Sequence, residues 1–280
     1  MAILVTGVNG QLGSALLRRL GPSCIPCDRQ FMDLFDRVEV DAKIAELKPR
    51  VVINCAAYTH VDLAETNIES CMQTNAMAVK NLADACFAND VVLVQISTDY
   101  VFGADLSRTI AYTEFDLPSP VNAYGHSKLA GERYAVAIPK HFVIRTCGLY
   151  GHSKHSVNFV EKILELSQTR ERLRVVSDQY CSPTFVEELA DAILFLCQTT
   201  KYGLYHVVNS APTTWYAFAA EILRQSKILV PVDPITSAEF PTAAVRPRYS
   251  VLDTTKYQSL GGPVMSDWPT ALAKYLAQRN

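Results

Sequence analysis

The chain has 280 residues, 49% of them hydrophobic and 19% charged, with a formal net charge of −2. That apolar fraction can fill a sizeable core, and the near-neutral balance argues against a nucleic-acid partner, which leaves a basic stripe on domains that bind it. No run of about eighteen apolar residues reads as a membrane span, and the N-terminus has neither a basic n-region nor a cleavage site, so a cytoplasmic protein is expected.

In chain order, residues 2–6 predict an apolar strand and residues 11–20 the helix that follows it. A second strand ends near Cys27. The amphipathic stretch 38–47 precedes a buried strand over 51–55. Residues 75–88 predict a helix with Ala78, Leu82, Ala85 and Cys86 on one face. Strands follow over 91–96 and 141–146. Nearly continuous apolar strands alternating with helices predict an α/β, Rossmann-type doubly wound parallel sheet with helices on both faces. Residues 102–121 are polar and turn-rich and read as a surface loop. Beyond about residue 150 the pattern changes to helices over 158–167, 186–198, 215–226 and 267–278, with a short strand over 173–176. Residues 231–253 carry Pro231, Pro234, Pro241 and Pro247 and read as irregular. The expectation is a dinucleotide-binding domain over 1–150 and a smaller, interleaved substrate lobe over 151–280, some segments of which return to the sheet.

Eight cysteines are scattered along the chain, several inside apolar runs. Cys24 and Cys27 form a C-x-x-C, but no second ligand pair accompanies them and no thioredoxin-like junction surrounds them. They read as reduced core thiols.

Three constellations carry chemistry. The first is Thr6-Gly7-Val8-Asn9-Gly10-Gln11-Leu12-Gly13, directly after a strand and opening a helix. Gly7 permits the tight turn, Gly10 lets the backbone approach a pyrophosphate at the helix N-terminus, and Gly13 lets the helix pack closely on the strand. The second is Tyr124-Gly125-His126-Ser127-Lys128 at the start of a helix. Residues four apart share a face, so a lysine ammonium beside the phenol is expected to lower its pKa and make it a proton donor to a carbonyl. The third is Ser97-Thr98-Asp99-Tyr100-Val101-Phe102 at a strand's carboxyl end, where α/β sheets bind ligands. Asp28 and Arg29, after the second strand, bear on the cofactor. A carboxylate there suits the ribose hydroxyl of NADH and an arginine suits the 2′-phosphate of NADPH, so both cofactors are expected to work, with a preference for NADPH.

Together these resemble the extended short-chain dehydrogenase/reductase superfamily, and their wording resembles the dTDP-4-dehydrorhamnose reductases. The residues that carry this are Asn54-Cys55-Ala56-Ala57-Tyr58-Thr59-His60-Val61-Asp62-Leu63-Ala64-Glu65, then Ser97 to Phe102, then Ser119-Pro120-Val121-Asn122-Ala123-Tyr124-Gly125, then Lys128-Leu129-Ala130-Gly131-Glu132. Asp178-Gln179 with Ser182-Pro183-Thr184, Gly203-Leu204-Tyr205-His206, and Arg246-Pro247 extend it over nearly the whole chain. The resemblance implies an NADPH- or NADH-dependent reductase of the C4 keto group of a nucleotide-activated 6-deoxy sugar. It implies Tyr124 as acid, Lys128 as its partner and a ribose contact, and Thr98 on the carbonyl. It further implies Gly7, Gly10, Gln11, Leu12 and Gly13 at the pyrophosphate, Asp33 and Leu34 at the adenine, Ala56 and Ala57 along the cofactor, and Arg246 at the substrate. A homodimer is compatible with it.

Two positions depart from the family. Its R-T-S-W before L-Y-G reads Arg145-Thr146-Cys147-Gly148 here. Gly148 therefore leaves the sugar without its aromatic wall, unless Tyr150, His152, Tyr180 or Phe240 fills the gap. Ala15 stands where some members carry a glutamate near a metal-bound dimer contact, so no metal is expected. Two other readings stay open: a 4-ketoreductase for a different nucleotide sugar, and a non-catalytic NADP-binding subunit resembling the regulatory subunit of methionine adenosyltransferase.

Overall fold

In the computed structural model, which describes residues 2–153 and 158–279, a six-stranded, wholly parallel sheet separates two layers of helices. The elements run β1 (Ile3–Thr6), α1 (Gln11–Leu20), β2 (Cys24–Cys27), α2 (Arg37–Leu47), β3 (Val51–Asn54), α3 (Val61–Ala64), α4 (Ile68–Met72), α5 (Ala78–Ala88), β4 (Val92–Thr98), α6 (Ala123–Val136) and β5 (His141–Thr146). They continue with β6 (Leu149–Tyr150), α7 (Phe159–Ser167), β7 (Leu173–Val176), β8 (Tyr180–Cys181), β9 (Thr184–Phe185), α8 (Val186–Leu196), β10 (Gly203–His206), β11 (Thr213–Thr214), α9 (Trp215–Gln225), β12 (Val232–Ile235), α10 (Thr255–Gln258) and α11 (Trp268–Ala277).

The sheet order is β10-β5-β4-β3-β1-β2. Central strands such as Val51–Asn54 are buried on both faces, which is why they read as unbroken apolar runs. One face is covered by α1 and α8, whose Leu12, Leu16, Leu189 and Ile193 share a core with Val5, Ile53 and Ile144. On the other, Val40, Ile44, Val79, Leu82 and Cys86 of α2 and α5 pack on Leu4, Val52, Leu93 and Val143. Pro26 sits on β2, an edge strand, where the lost amide donor costs no ladder bond. A third core belongs to the second half of the chain and joins α7, α9 and α11 through residues such as Ile163, Phe218, Ile222 and Leu272.

Three differences from the sequence reading have physical causes. The helix expected from residue 75 begins at Ile68 and runs on to Ala88 through a π turn at Gln73–Met77. The region expected to be irregular contains β12, which pairs in parallel with β7 although it carries Pro234; this ribbon has two strands, so β12 has a free edge for the proline. Residues 203–206, read only as a motif, form β10, which pairs with β5 at the edge of the main sheet.

Candidate active site

The sheet reverses direction of growth at β1: β2 lies on one side of it and β3 on the other. The loops leaving β1 and β3 therefore diverge, and a crevice opens between them at the carboxyl ends of the strands. Gly7 sits at this point with φ +64, a left-handed conformation that favours glycine. A Cβ on it would lie 2.7 Å from Ala56 N, and one on Gly13 would lie 2.3 Å from Gly7 O. The two glycines are thus required by close backbone approach, first of loop to loop and then of helix to turn. Beneath them a buried chain of side chains ties three strands together. Thr6 Oγ1 donates to Asn54 Oδ1 at 2.5 Å, and Asn54 Nδ2 donates to Gln95 Oε1 at 2.7 Å.

The resulting cleft has a volume of about 1060 Å³. Gly7, Gly10, Gln11, Leu12 and Gly13 line it at the start of α1, and Asp28, Arg29, Asp33 and Leu34 line it after β2. Ala56 and Ala57 line it after β3, while Thr98, Tyr124, Lys128 and Gly148 close its far end. The residues fit a dinucleotide. Gly10 caps α1 with no side-chain hydrogen bond, so the first-turn amides and the positive end of the helix face the cleft. Thr146 Oγ1, also in the lining, is buried and has no hydrogen-bond partner among the described residues, as expected of a group that a ligand completes.

Tyr124 is the second residue of α6, whose start is fixed on three sides. Asn122 accepts from Gly125 N at 2.7 Å, Glu65 accepts from Ala123 N at 2.9 Å, and the Tyr124 ring meets Tyr100 edge-on at 6.0 Å. Gly125 is needed there because a Cβ would lie 2.2 Å from Tyr100 O. Lys128, one turn on, donates from Nζ to Ile96 O at 2.6 Å. Burial drives its pKa down to about 8 against the opposing charge of Glu132.

The sequence reading has Lys128 lower the Tyr124 pKa; the environment of the phenol in this structure acts in the other direction. Burial pushes the phenol well above its ordinary value, and the largest opposing effect is a hydrogen bond with Thr98. The Lys128 ammonium is bonded to the Ile96 carbonyl. Burial thus favours the neutral phenol, the form a proton donor needs.

Thr98 ends β4 and connects the site to a buried carboxyl: its Oγ1 donates to Asp99 Oδ1 at 3.2 Å, and Ser250 Oγ donates to Asp99 Oδ2 at 2.5 Å. Burial raises the Asp99 pKa to about 6. Below this, Arg145 and Glu132 form a buried bidentate pair at 2.9 and 2.8 Å, and Ser97 donates to the same carboxylate at 2.5 Å. His206 lies beside Arg145, and burial with that cation depresses its pKa to about 3, so it is neutral.

Arg246, expected at the substrate, is absent from the cleft lining. Its guanidinium pairs with both oxygens of Asp62 at 2.8 and 2.7 Å, and this holds the Asp62 carboxyl down at about 2. Asp28, expected at the ribose, accepts from the amides of Gln30 and Phe31 at 3.0 Å each. Arg29 is exposed and has no partner among the described residues. Cys24 and Cys27 are free and lie three apart on one strand, hence on opposite faces. Ala15 is buried on α1, and Arg19 nearby pairs with Glu187 and Asp191.

Two residues at the site escaped the sequence reading. Asn75, in the π turn, accepts from Tyr58 N at 2.8 Å and donates to Ser127 Oγ at 2.9 Å, which locks the loop after β3 to α6. An asparagine at the first position of the expected helix gives no warning of this. The other is Trp215, which lines the cleft beside Gly148.

Comparison with known proteins agrees with this geometry. The family profile described as RmlD substrate binding domain matches residues 1–280. The chain is 37% identical to the dTDP-4-dehydrorhamnose reductase of Aggregatibacter actinomycetemcomitans, with 96% of each chain covered. Among solved structures it resembles a dTDP-4-dehydrorhamnose reductase from Clostridium acetobutylicum, with a TM-score of 0.95 and 39% identity over 99% of both chains. It also resembles the dTDP-4-dehydrorhamnose reductase of Bacillus anthracis in complex with NADP, with a TM-score of 0.94 and 38% identity over 99% of this chain and 100% of that one. Matched along its whole length by the family profile, the chain belongs to the RmlD substrate-binding-domain family.

Proposed function

We propose that this protein reduces the C4 keto group of a dTDP-linked 4-keto-6-deoxyhexose with NADPH or NADH. The observation that carries the reading is that Thr98, Tyr124 and Lys128 line the same cleft as the glycine cradle of α1. A carbonyl held at Thr98 and Tyr124 therefore shares one cavity with a dinucleotide. When bound, the reduced nicotinamide supplies the hydride for C4. The chain's own residues do the rest. Thr98 and Tyr124 orient the carbonyl oxygen, and Tyr124 gives it the phenolic proton as the C–H bond forms. Lys128 is the cation nearest to this exchange along α6, and Asn75 and Glu132 keep α6 in place through Ser127 and Arg145.

In this reading residues 1–150 bind the dinucleotide and residues 151–280 mainly hold the sugar nucleotide. The protein works in the cytoplasm as a homodimer; among the described residues, no helix is long and apolar enough to cross a membrane.

The test is oxidation of NADPH and NADH against a panel of nucleotide-linked 4-keto sugars. Turnover is expected with the dTDP-linked 4-keto-6-deoxyhexose. Faster turnover with a different nucleotide would move the assignment to that sugar. Cofactor binding without turnover of any sugar would replace catalysis by the regulatory-subunit reading.

A further inference from the structure

Gly148 leaves no gap in the cleft wall. It has φ +51, and a Cβ built on it would lie 3.0 Å from Cη2 of Trp215 and 3.3 Å from Cα of Pro183. The space beside it is thus taken by an indole that comes from a segment 67 positions later in the chain (215 − 148). Trp215 is the first residue of α9, where Thr214 caps the helix by accepting from Ala217 N at 3.2 Å. Its ring leans on Phe159 at 4.7 Å between centroids and on Phe218 at 6.4 Å, and Phe218 is fully buried in the core of the second half of the chain. The indole is therefore backed by the buried Phe218, flanked by Phe159, which is also in the lining, and half-exposed in front, where it lines the same cleft as Thr98 and Tyr124. Its N–H has no hydrogen-bond partner among the described residues.

We propose that Trp215 is the aromatic wall of the sugar subsite and a specificity-determining residue of the reduction; the assignment rests on the reductase reading above. Glycines, alanines and hydroxyls line much of the rest of the cleft and suit phosphate and carbonyl groups; of the other aromatic rings in the lining, Phe35 follows β2 and Phe159 packs on the indole itself. A rigid aromatic face suits the apolar C–H face of a pyranose, and the indole N–H can donate to a sugar hydroxyl at the ring's edge. None of Tyr150, His152, Tyr180 and Phe240 does this. Tyr150 is fully buried, His152 stacks on Tyr275 at 4.7 Å, Tyr180 lies against Tyr249, and Phe240 is 58% exposed outside the cleft lining.

The experiment has a kinetic and a spectroscopic arm. In the first, Trp215→Phe and Trp215→Ala are compared with wild type on a dTDP-4-keto-6-deoxyhexose and on its analogue with a C6 hydroxyl. KM for the 6-deoxy sugar is expected to rise roughly tenfold or more in Trp215→Ala and less in Trp215→Phe. Discrimination between the two sugars should shrink, and NADPH affinity should not change. Because Trp215→Ala loses packing on Phe159, Trp215→Phe and the second arm carry the decision if it does not fold. The chain has two tryptophans, so Trp268→Phe leaves Trp215 as sole reporter. With NADP+ present, a dTDP–6-deoxyhexose should shift its emission saturably, and dTDP alone should not. An equal response to dTDP with and without the sugar, or no response to either, overturns the proposal, as does an unchanged KM and sugar preference in Trp215→Phe and Trp215→Ala. The reductase reading fails separately, if wild type turns over no keto sugar.

Discussion

The Lys128 ammonium is bound to the Ile96 carbonyl at 2.6 Å, the backbone end of the strand that also delivers Thr98. One strand end thus holds both the cation and the hydroxyl of the site. With its pKa depressed to about 8 by burial, Lys128 carries its charge below that pH and loses it above. We therefore expect kcat/KM of the wild type to fall as pH rises through about 8, and Lys128→Arg, which stays protonated, to lose that limb while reacting more slowly. A wild-type profile flat to pH 9.5 would show that this charge is not needed for the reaction.

Tyr124→Phe removes one hydroxyl and keeps the ring that meets Tyr100. Loss of a general acid costs about a hundred- to ten-thousand-fold in rate, so kcat should drop by that order with NADPH affinity unchanged. Stopped-flow single turnover separates the chemical step from release. Near-full activity in the variant assigns the proton to another group.

For the cofactor, the Asp28 carboxylate already serves the amides of residues 30 and 31, and Arg29 remains available to a 2′-phosphate. Titration of Arg29→Ala should show NADPH binding weakened by roughly ten- to a hundredfold, the value of a charge-assisted hydrogen bond, with NADH binding unaltered. Equal losses for both cofactors would mean that Arg29 does not read the phosphate.

Asp99 gives a pH signature in stability. Its pKa is raised to about 6 by burial, so between about pH 4 and 6 the native state holds a proton that the unfolded chain releases. Stability then falls as pH rises across this window, by on the order of 2 kcal/mol. Asp99→Asn removes the titration. Its thermal midpoint should exceed that of wild type at pH 8, and the difference should close towards pH 4. Parallel profiles for the two proteins would place the Asp99 titration outside this range.

The parts of the site that were legible in the sequence are those whose partners lie close along the chain. Gly7 to Gly13 and Tyr124 to Lys128 are local patterns, and the strand preceding Gly7 is an apolar run. What was not legible depends on contacts between distant segments. Nothing near Gly148 in the chain announces Trp215, and four nearer or more conspicuous aromatics were the natural candidates. The same distance hides the pairing of Arg246 with Asp62. For β12, the local signal pointed the wrong way: Pro234 argued for a loop, whereas a two-stranded ribbon tolerates it. A Gly148→Trp substitution would meet both a left-handed backbone and the Trp215 ring.

The π turn at Gln73–Met77 splits the helix from Ile68 to Ala88 into two phases. Ahead of and within the turn, Cys71 and Asn75 face Ser127; after it, Val79, Leu82 and Cys86 face the sheet. One residue in an α-helix is worth about 100° of rotation, so the extra residue lets a single rod serve α6 and the core at once. Deleting one residue from this turn would leave the helix intact and rotate one half against the other. Either Asn75 would swing away from Ser127 or the apolar stripe would turn from the sheet. Length at this point is therefore as constrained as residue identity, and a one-residue deletion there should be less well tolerated than any single substitution on the helix's exposed face.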